Sequence, residues 1–133
     1  MERALRDAGL KTTRQRLAVL EALADRSDAL SAQELYLEFR SRGDVIGLST
    51  VYRTLTSLAD AGLLDVFPRD GEQAFRSCSP QHHHHLICTE CNDVQELEAA
   101  LVEEWVDKVS QTHTFEVTRH RADIYGRCHR CAA

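Results

Sequence analysis

The sequence predicts an α+β protein in two parts, a helical domain closed by a β-hairpin and then a mixed α/β domain rich in metal ligands. Three observations carry that reading. Capped amphipathic segments in the first half end at glycines. An Asp-Gly turn between two strand-like runs follows them. Every cysteine and histidine lies at or beyond residue 78. The chain has 133 residues, 43% hydrophobic and 28% charged, which suits one medium or two small folded domains and excludes wholesale disorder. No apolar run nears the roughly 20 residues that span a bilayer. The start, Met1-Glu2-Arg3-Ala4-Leu5-Arg6-Asp7, lacks the apolar core of an export signal. The expected location is therefore cytoplasmic, without a membrane partner.

The net charge of −5 argues against indiscriminate binding to nucleic acid. It hides an asymmetry, because residues 1–77 are net −1 and residues 78–133 net −4. The cysteine count, five, is odd, and a cytoplasm keeps thiols reduced, so metal ligation is a better reading than disulfides.

The helices follow from their ends. A short helix covers residues 2–8 and stops at Gly9. Thr13 caps a second over 14–24, with Leu17, Leu20, Leu23 and Ala24 as its apolar stripe. Ser31-Ala32-Gln33-Glu34 is a capping box that starts a third helix, running to about Arg42. Ser49 is expected to cap a fourth, which Gly62 ends after Ala61.

The fourth helix sets Val51, Leu55, Leu58 and Ala59 on one face and Arg53, Thr56, Ser57 and Asp60 on the other, with Tyr52 at the flank. Short polar groups with one Arg and one Tyr suit a major groove, although the same face also reads as an ordinary solvated one. Context favours the groove. After Gly62, residues 63–69 and 72–78 flank Asp70-Gly71, a strong hairpin signal. Helices followed by a hairpin make a winged helix-turn-helix, with the fourth helix as its reader. Lys11, Arg14 and Arg16 open the second helix, where phosphates can be met. The DNA-contacting set is thus Lys11, Arg14, Arg16, Ser49, Thr50, Tyr52, Arg53 and Thr56. A protein-binding winged helix remains the plainer alternative.

The second half reads as three metal groups. Cys88-x-x-Cys91 and Cys128-x-x-Cys131 suit one closed, structural zinc bound by four thiolates, while a redox dithiol needs only one pair. Cys78 is left over, followed by His82-His83-His84-His85 and then Leu86-Ile87. If the run enters a strand, His82 and His84 point one way and His83 and His85 the other, which implies two sites. A two-residue turn at 70–71 pairs Arg69 with Glu72 and sets Asp65 opposite Arg76, with Cys78 diagonal to it. Asp65, Cys78, His83 and His85 thus complete a tetrahedral set joining the hairpin to the second half; a salt bridge to Arg76 is the simpler reading of Asp65 alone. Thiolate with imidazole favours zinc over a hard cation. Residues 97–111 read as a helix with Leu101, Val102, Trp105, Val106 and Val109 on its apolar face, and 114–126 as strand. Periodicity alone makes Glu103 a solvated carboxylate and His120 a lone histidine, and gives His113 and His129 no role.

Thr13-Arg14-Gln15-Arg16, Ser49-Thr50-Val51-Tyr52-Arg53-Thr54-Leu55, Cys78 with the histidine run, and both C-x-x-C pairs, in that order over nearly the whole chain, resemble the ferric uptake regulator (Fur) superfamily. The likeness is strongest to its zinc-uptake branch in the actinobacterial form. The resemblance implies a homodimer with winged-helix domains at residues 1–77, a hinge at 78–82, and a dimerisation domain at 83–133. It implies a transcriptional repressor of zinc-acquisition genes that binds a near-palindromic operator, with up to three zinc ions per protomer and no small-molecule substrate. It assigns Cys88, Cys91, Cys128 and Cys131 to structural zinc, Asp65, Cys78, His83 and His85 to a sensing site at the hinge, and His82, His84, Glu103 and His120 to a further regulatory site.

On that reading zinc selects one orientation of two otherwise loosely held DNA readers. A near-complete switch needs roughly 10⁴-fold, about 5.5 kcal/mol, of differential affinity. A sibling sensor of iron, nickel or peroxide is the nearest alternative. From other classes come a zinc hydrolase, which needs an open coordination position and a general base, and a zinc-storage protein, which leaves the helix-turn-helix unexplained.

Overall fold

The computed structural model describes residues 1–78 and 83–133. The chain forms two compact units, Met1–Pro80 and Gln81–Ala133.

In the first unit the order is α1 (Glu2–Asp7), α2 (Arg14–Ala24), β1 (Leu30–Ser31), α3 (Ala32–Ser41), α4 (Leu48–Asp60), β2 (Leu64–Arg69) and β3 (Glu72–Ser77). The Thr13 hydroxyl accepts from the Arg16 amide at 3.2 Å and so caps α2. At α3 the capping box is complete: Ser31 Oγ accepts from the Glu34 amide at 3.1 Å, and Glu34 Oε1 from the Ser31 amide at 2.9 Å. Each such cap is worth about 1 kcal/mol. The expectation for Ser49 is corrected. Gly47, in extended conformation, is the N-cap of α4, and Ser49 lies one residue inside the helix. The Gly47 carbonyl already receives the Val51 amide at 3.0 Å, so the first turn closes without a side-chain cap.

Leu23, Leu35, Phe39, Val51, Leu55 and Leu58 are buried together with Phe75 of β3. Each such side chain contributes about 1.5–3 kcal/mol relative to exposure, which fixes α4 by its apolar face and leaves the opposite face outward. The hairpin has the expected register, Asp65 opposite Arg76 and Arg69 opposite Glu72. Asp70 and Gly71 adopt φ of 50° and 82°, the left-handed pair that a tight primed turn requires. A third strand, β1, adds to the other edge of β3. Ser31 thus serves both the ladder and the cap of α3. Arg69 locks this corner, donating to the Ala29 carbonyl at 2.9 Å and pairing with Glu34.

The second unit comprises β4 (His84–Cys88), β5 (Val94–Leu97), α5 (Ala100–Thr112), β6 (Asp123–Gly126) and α6 (His129–Ala132). β4 is the centre of a three-stranded sheet, antiparallel to β5 and parallel to β6. Two expectations are corrected here. The helix expected from 97 begins at Ala100, because buried Val94 pairs with Ile87 and draws 94–97 into the sheet. The strand expected over 114–126 is confined to Asp123–Gly126, where the ladder with β4 exists. No residue of α5 is fully buried; Leu101 and Trp105 remain 80% and 64% exposed. Among the described residues no helix is long and apolar enough to cross a membrane.

Candidate metal centres

The parallel pairing of β4 and β6 places their C-terminal ends side by side, with Cys88 opposite Gly126. The turns after the two strands therefore meet, and they carry the two C-x-x-C pairs. The Thr89 amide donates to the Gly126 carbonyl at 2.8 Å and ties them together. The sulfurs of Cys88, Cys91, Cys128 and Cys131 all lie within 4.8 Å of one another. Cys91 Sγ and Cys128 Sγ are 3.8 Å apart, and all five cysteines of the chain are free thiols. A regular tetrahedron with zinc–sulfur bonds of roughly 2.3 Å has edges of about 3.8 Å, so this cluster fits zinc.

The thiols are also prepared electrostatically. The Cys91 and Cys128 amides point at Cys88 Sγ, 3.5 and 3.4 Å away, and hold its pKa down to about 6. The Cys131 amide likewise lowers Cys128. Cys131 is pushed up to about 12, first by its hydrogen bond to Cys128. Negative charge is thus favoured on Cys88 and Cys128 and disfavoured on Cys91 and Cys131 until a cation balances it.

A second group surrounds β4. His84 is fully buried, and its Nε2 lies 3.1 Å from Glu103 Oε1. The same carboxylate oxygen is 2.6 Å from His120 Nε2. The two rings stack with centroids 5.4 Å apart. Glu103 and His120 are thus drawn to one point with His84, where periodicity alone left them apart. His82, the fourth member expected here, lies outside the described residues.

Residues expected at the hinge fall on both units. Asp65 stands opposite Arg76 on the wing. Cys78 follows β3, its sulfur 3.5 Å from the Gly62 carbonyl oxygen. In the second unit the rings of His83 and His85 meet edge to face at 4.7 Å, on the side of the strand away from the His84 group. Two neighbours went unread in the sequence. Glu96 Oε1 is 3.6 Å from His83 Nε2, and Asp123 Oδ1 is 2.9 Å from His85 Nδ1. Neither strand partner is local in sequence, so only knowledge of the sheet order reveals them.

On the first unit, α4 exposes Ser49, Tyr52 and Arg53, while Thr50 and Thr56 are half-buried. Arg53 Nη2 is 3.4 Å from Thr50 Oγ1, and Thr56 Oγ1 donates to the Tyr52 carbonyl at 2.9 Å. A groove of about 530 Å³ between α3, α4 and β3 is lined by Gln33, Leu48, Ser49, Tyr52, Arg53 and Gln73. Lys11 and Arg14 are exposed. Arg16 is engaged within the protein, donating to the Lys11 carbonyl at 2.7 Å and to Ser57 Oγ at 3.3 Å.

Residues 7–125 match the model of the Ferric uptake regulator family. The chain belongs to this family. It is 46% identical over 125 residues to the zinc uptake regulation protein of Mycobacterium tuberculosis, covering 93% of this chain and 96% of the relative. A crystal structure of the Vibrio cholerae ferric uptake regulator superposes with a TM-score of 0.73 at 35% identity, over 96% of this chain and 98% of that one. FurB of M. tuberculosis, a zinc uptake regulator, matches with a TM-score of 0.53 at 45% identity, over 89% and 92%.

Ferric uptake regulators are transcriptional regulators, not enzymes, which sets aside the hydrolase reading. As a member of the family, this chain is a metal-responsive regulator, and regulators of this family are DNA-binding dimers. Its α+β fold, with the winged unit first, is that of its relatives.

Proposed function

We propose that this chain is a zinc-responsive repressor: a homodimer that, with zinc bound, holds a near-palindromic operator and silences zinc-uptake genes in the cytoplasm. The observation that carries the zinc reading is one of ligand type in the sequence: a thiol, Cys78, precedes the imidazoles of His83 and His85 by a few residues. Soft sulfur with nitrogen selects zinc over a hard cation. The 46% identity to a zinc uptake regulation protein supports the same choice.

In this reading residues 1–77 read DNA, 78–82 are the hinge, and 83–133 dimerise. Cys88, Cys91, Cys128 and Cys131 hold structural zinc. Asp65, Cys78, His83 and His85 hold the sensing zinc. His82, His84, Glu103 and His120 hold a further regulatory ion, up to three per protomer. Held by these side chains, a sensing ion would tie both sides of the hinge. The residues do the rest. Arg53, Tyr52, Ser49, Thr50 and Thr56 meet bases and phosphates in the major groove, and Lys11, Arg14 and Arg16 serve the backbone at the start of α2. Leu101 and Trp105, four residues apart on α5 and exposed, supply the apolar face that a second copy covers.

The test is a mobility-shift titration with zinc, iron, nickel and manganese, on the intact protein and on Cys78→Ser. Zinc is expected to promote operator binding at the lowest free concentration, and Cys78→Ser to lose that response. A folded, dimeric Cys78→Ser that answers zinc with unchanged sensitivity removes the hinge assignment.

A further inference from the structure

We propose that Asp123 is a positioning residue for the sensing metal: its carboxylate sets the tautomer of His85, so that Nε2 presents the lone pair. This rests on the assignment of His85 to the hinge group above. β4 and β6 run parallel with His85 opposite Asp123, and the His85 amide donates to the Ala122 carbonyl at 3.1 Å. The imidazole is 1% exposed, so its ring nitrogens look to protein rather than to bulk water. Nδ1 lies 2.9 Å from Asp123 Oδ1, and Arg121 Nε holds the other carboxylate oxygen at 2.8 Å. An ionised carboxylate only accepts, so the hydrogen bond requires the proton on Nδ1. The lone pair of the neutral ring is then on Nε2.

The neighbouring histidine shows that this is a local choice. The Ala122 amide donates to His84 Nδ1 at 2.9 Å, which puts the proton of neutral His84 on Nε2, facing Glu103. Two adjacent residues of one strand therefore take opposite tautomers, each dictated by the segment from Ala122 to Asp123. A carboxylate behind a ligating imidazole fixes the ring's orientation and raises its basicity, and losing it commonly costs roughly 10–100-fold in metal affinity.

The experiment uses full-length protein that retains its structural zinc. The sensing zinc is titrated against a chromophoric chelator, and ring protons are assigned from long-range ¹H–¹⁵N spectra taken without sensing zinc. In Asp123→Ala the His85 proton is expected to move to Nε2 and sensing-zinc affinity to fall roughly 10–100-fold, with structural zinc and Tm unchanged. Asp123→Asn, which keeps an acceptor oxygen, is expected to fall between, and it decides by the same criteria if Asp123→Ala does not fold. A proton that stays on Nδ1, or one that moves without changing affinity, overturns the proposal. His85→Ala separates the two levels. If it abolishes sensing-zinc binding while Asp123→Ala changes nothing, only the positioning role fails. If His85→Ala itself binds sensing zinc normally, the hinge assignment fails and this proposal with it.

Discussion

Cys91 Sγ and Cys128 Sγ stand 3.8 Å apart although 37 positions separate them in the chain. The contact joins the turn after the central strand to the turn after its parallel neighbour, so one ion there closes the second unit on itself. α5 contributes no fully buried residue, which leaves this unit a thin core of its own. Cys128→Ser is therefore expected to lose the tightly held zinc and the cooperative melting of the second unit together. Metal content after desalting and a thermal melt by circular dichroism measure both. A variant that loses zinc but melts unchanged contradicts the structural role.

Proton release on loading this site should depend on pH. Cys88, held near a pKa of about 6, is already a thiolate at pH 7.4, while Cys131, at about 12, is a thiol. Zinc binding is then expected to expel fewer than four protons at pH 7.4 and to approach four as pH falls through the Cys88 value. The sign follows from the depressed pKa: its benefit to zinc binding is present above about 6 and is lost on acidification. Calorimetry in buffers of different ionisation enthalpy reads the number. Four protons at both pH values contradict the assignment.

Filling of the regulatory groups should be ordered. His84 Nε2 carries the proton that faces Glu103, because Nδ1 receives the Ala122 amide. A metal at Nε2 must displace that proton and disturb the amide bond, whereas His85 needs no such change. The group around His84, Glu103 and His120 is expected to fill last, and Glu103→Gln to remove only the final zinc equivalent in a stepwise titration. Loss of an earlier equivalent contradicts the order.

Arg53 projects from the exposed face of α4 beside Tyr52. If it grips a guanine edge, Arg53→Ala costs about 1–3 kcal/mol of operator binding and relaxes preference at one position of each half-site. Anisotropy on a panel of single-base operator variants distinguishes that from a phosphate contact, which weakens all sequences alike.

Legibility in the sequence followed the locality of the chemistry. The Ser31–Glu34 box, the Thr13 cap and the Asp70-Gly71 turn are closed by neighbours within a few residues, so their outlines and the hairpin register were readable. Alternation along β4 likewise separates His84 from His83 and His85. What stayed hidden depends on distant partners. β1 is two residues long and exists because β3 has an open edge. β5 carries Gln95 and Glu96 and is a strand through its pairing with β4. The convergence of Glu103 and His120 on His84 was legible only through the family resemblance, and that of Asp123 on His85 follows from a parallel strand pairing that no local pattern encodes.

Zinc at the hinge is expected to make the DNA-binding shape. Operator affinity of one preparation, measured by fluorescence anisotropy at fixed salt, tests it most directly when zinc-saturated protein is compared with protein chelated down to its structural zinc. Chelation is expected to lower affinity on the order of 10⁴-fold, and added zinc to restore it. Equal affinity in the two states contradicts it.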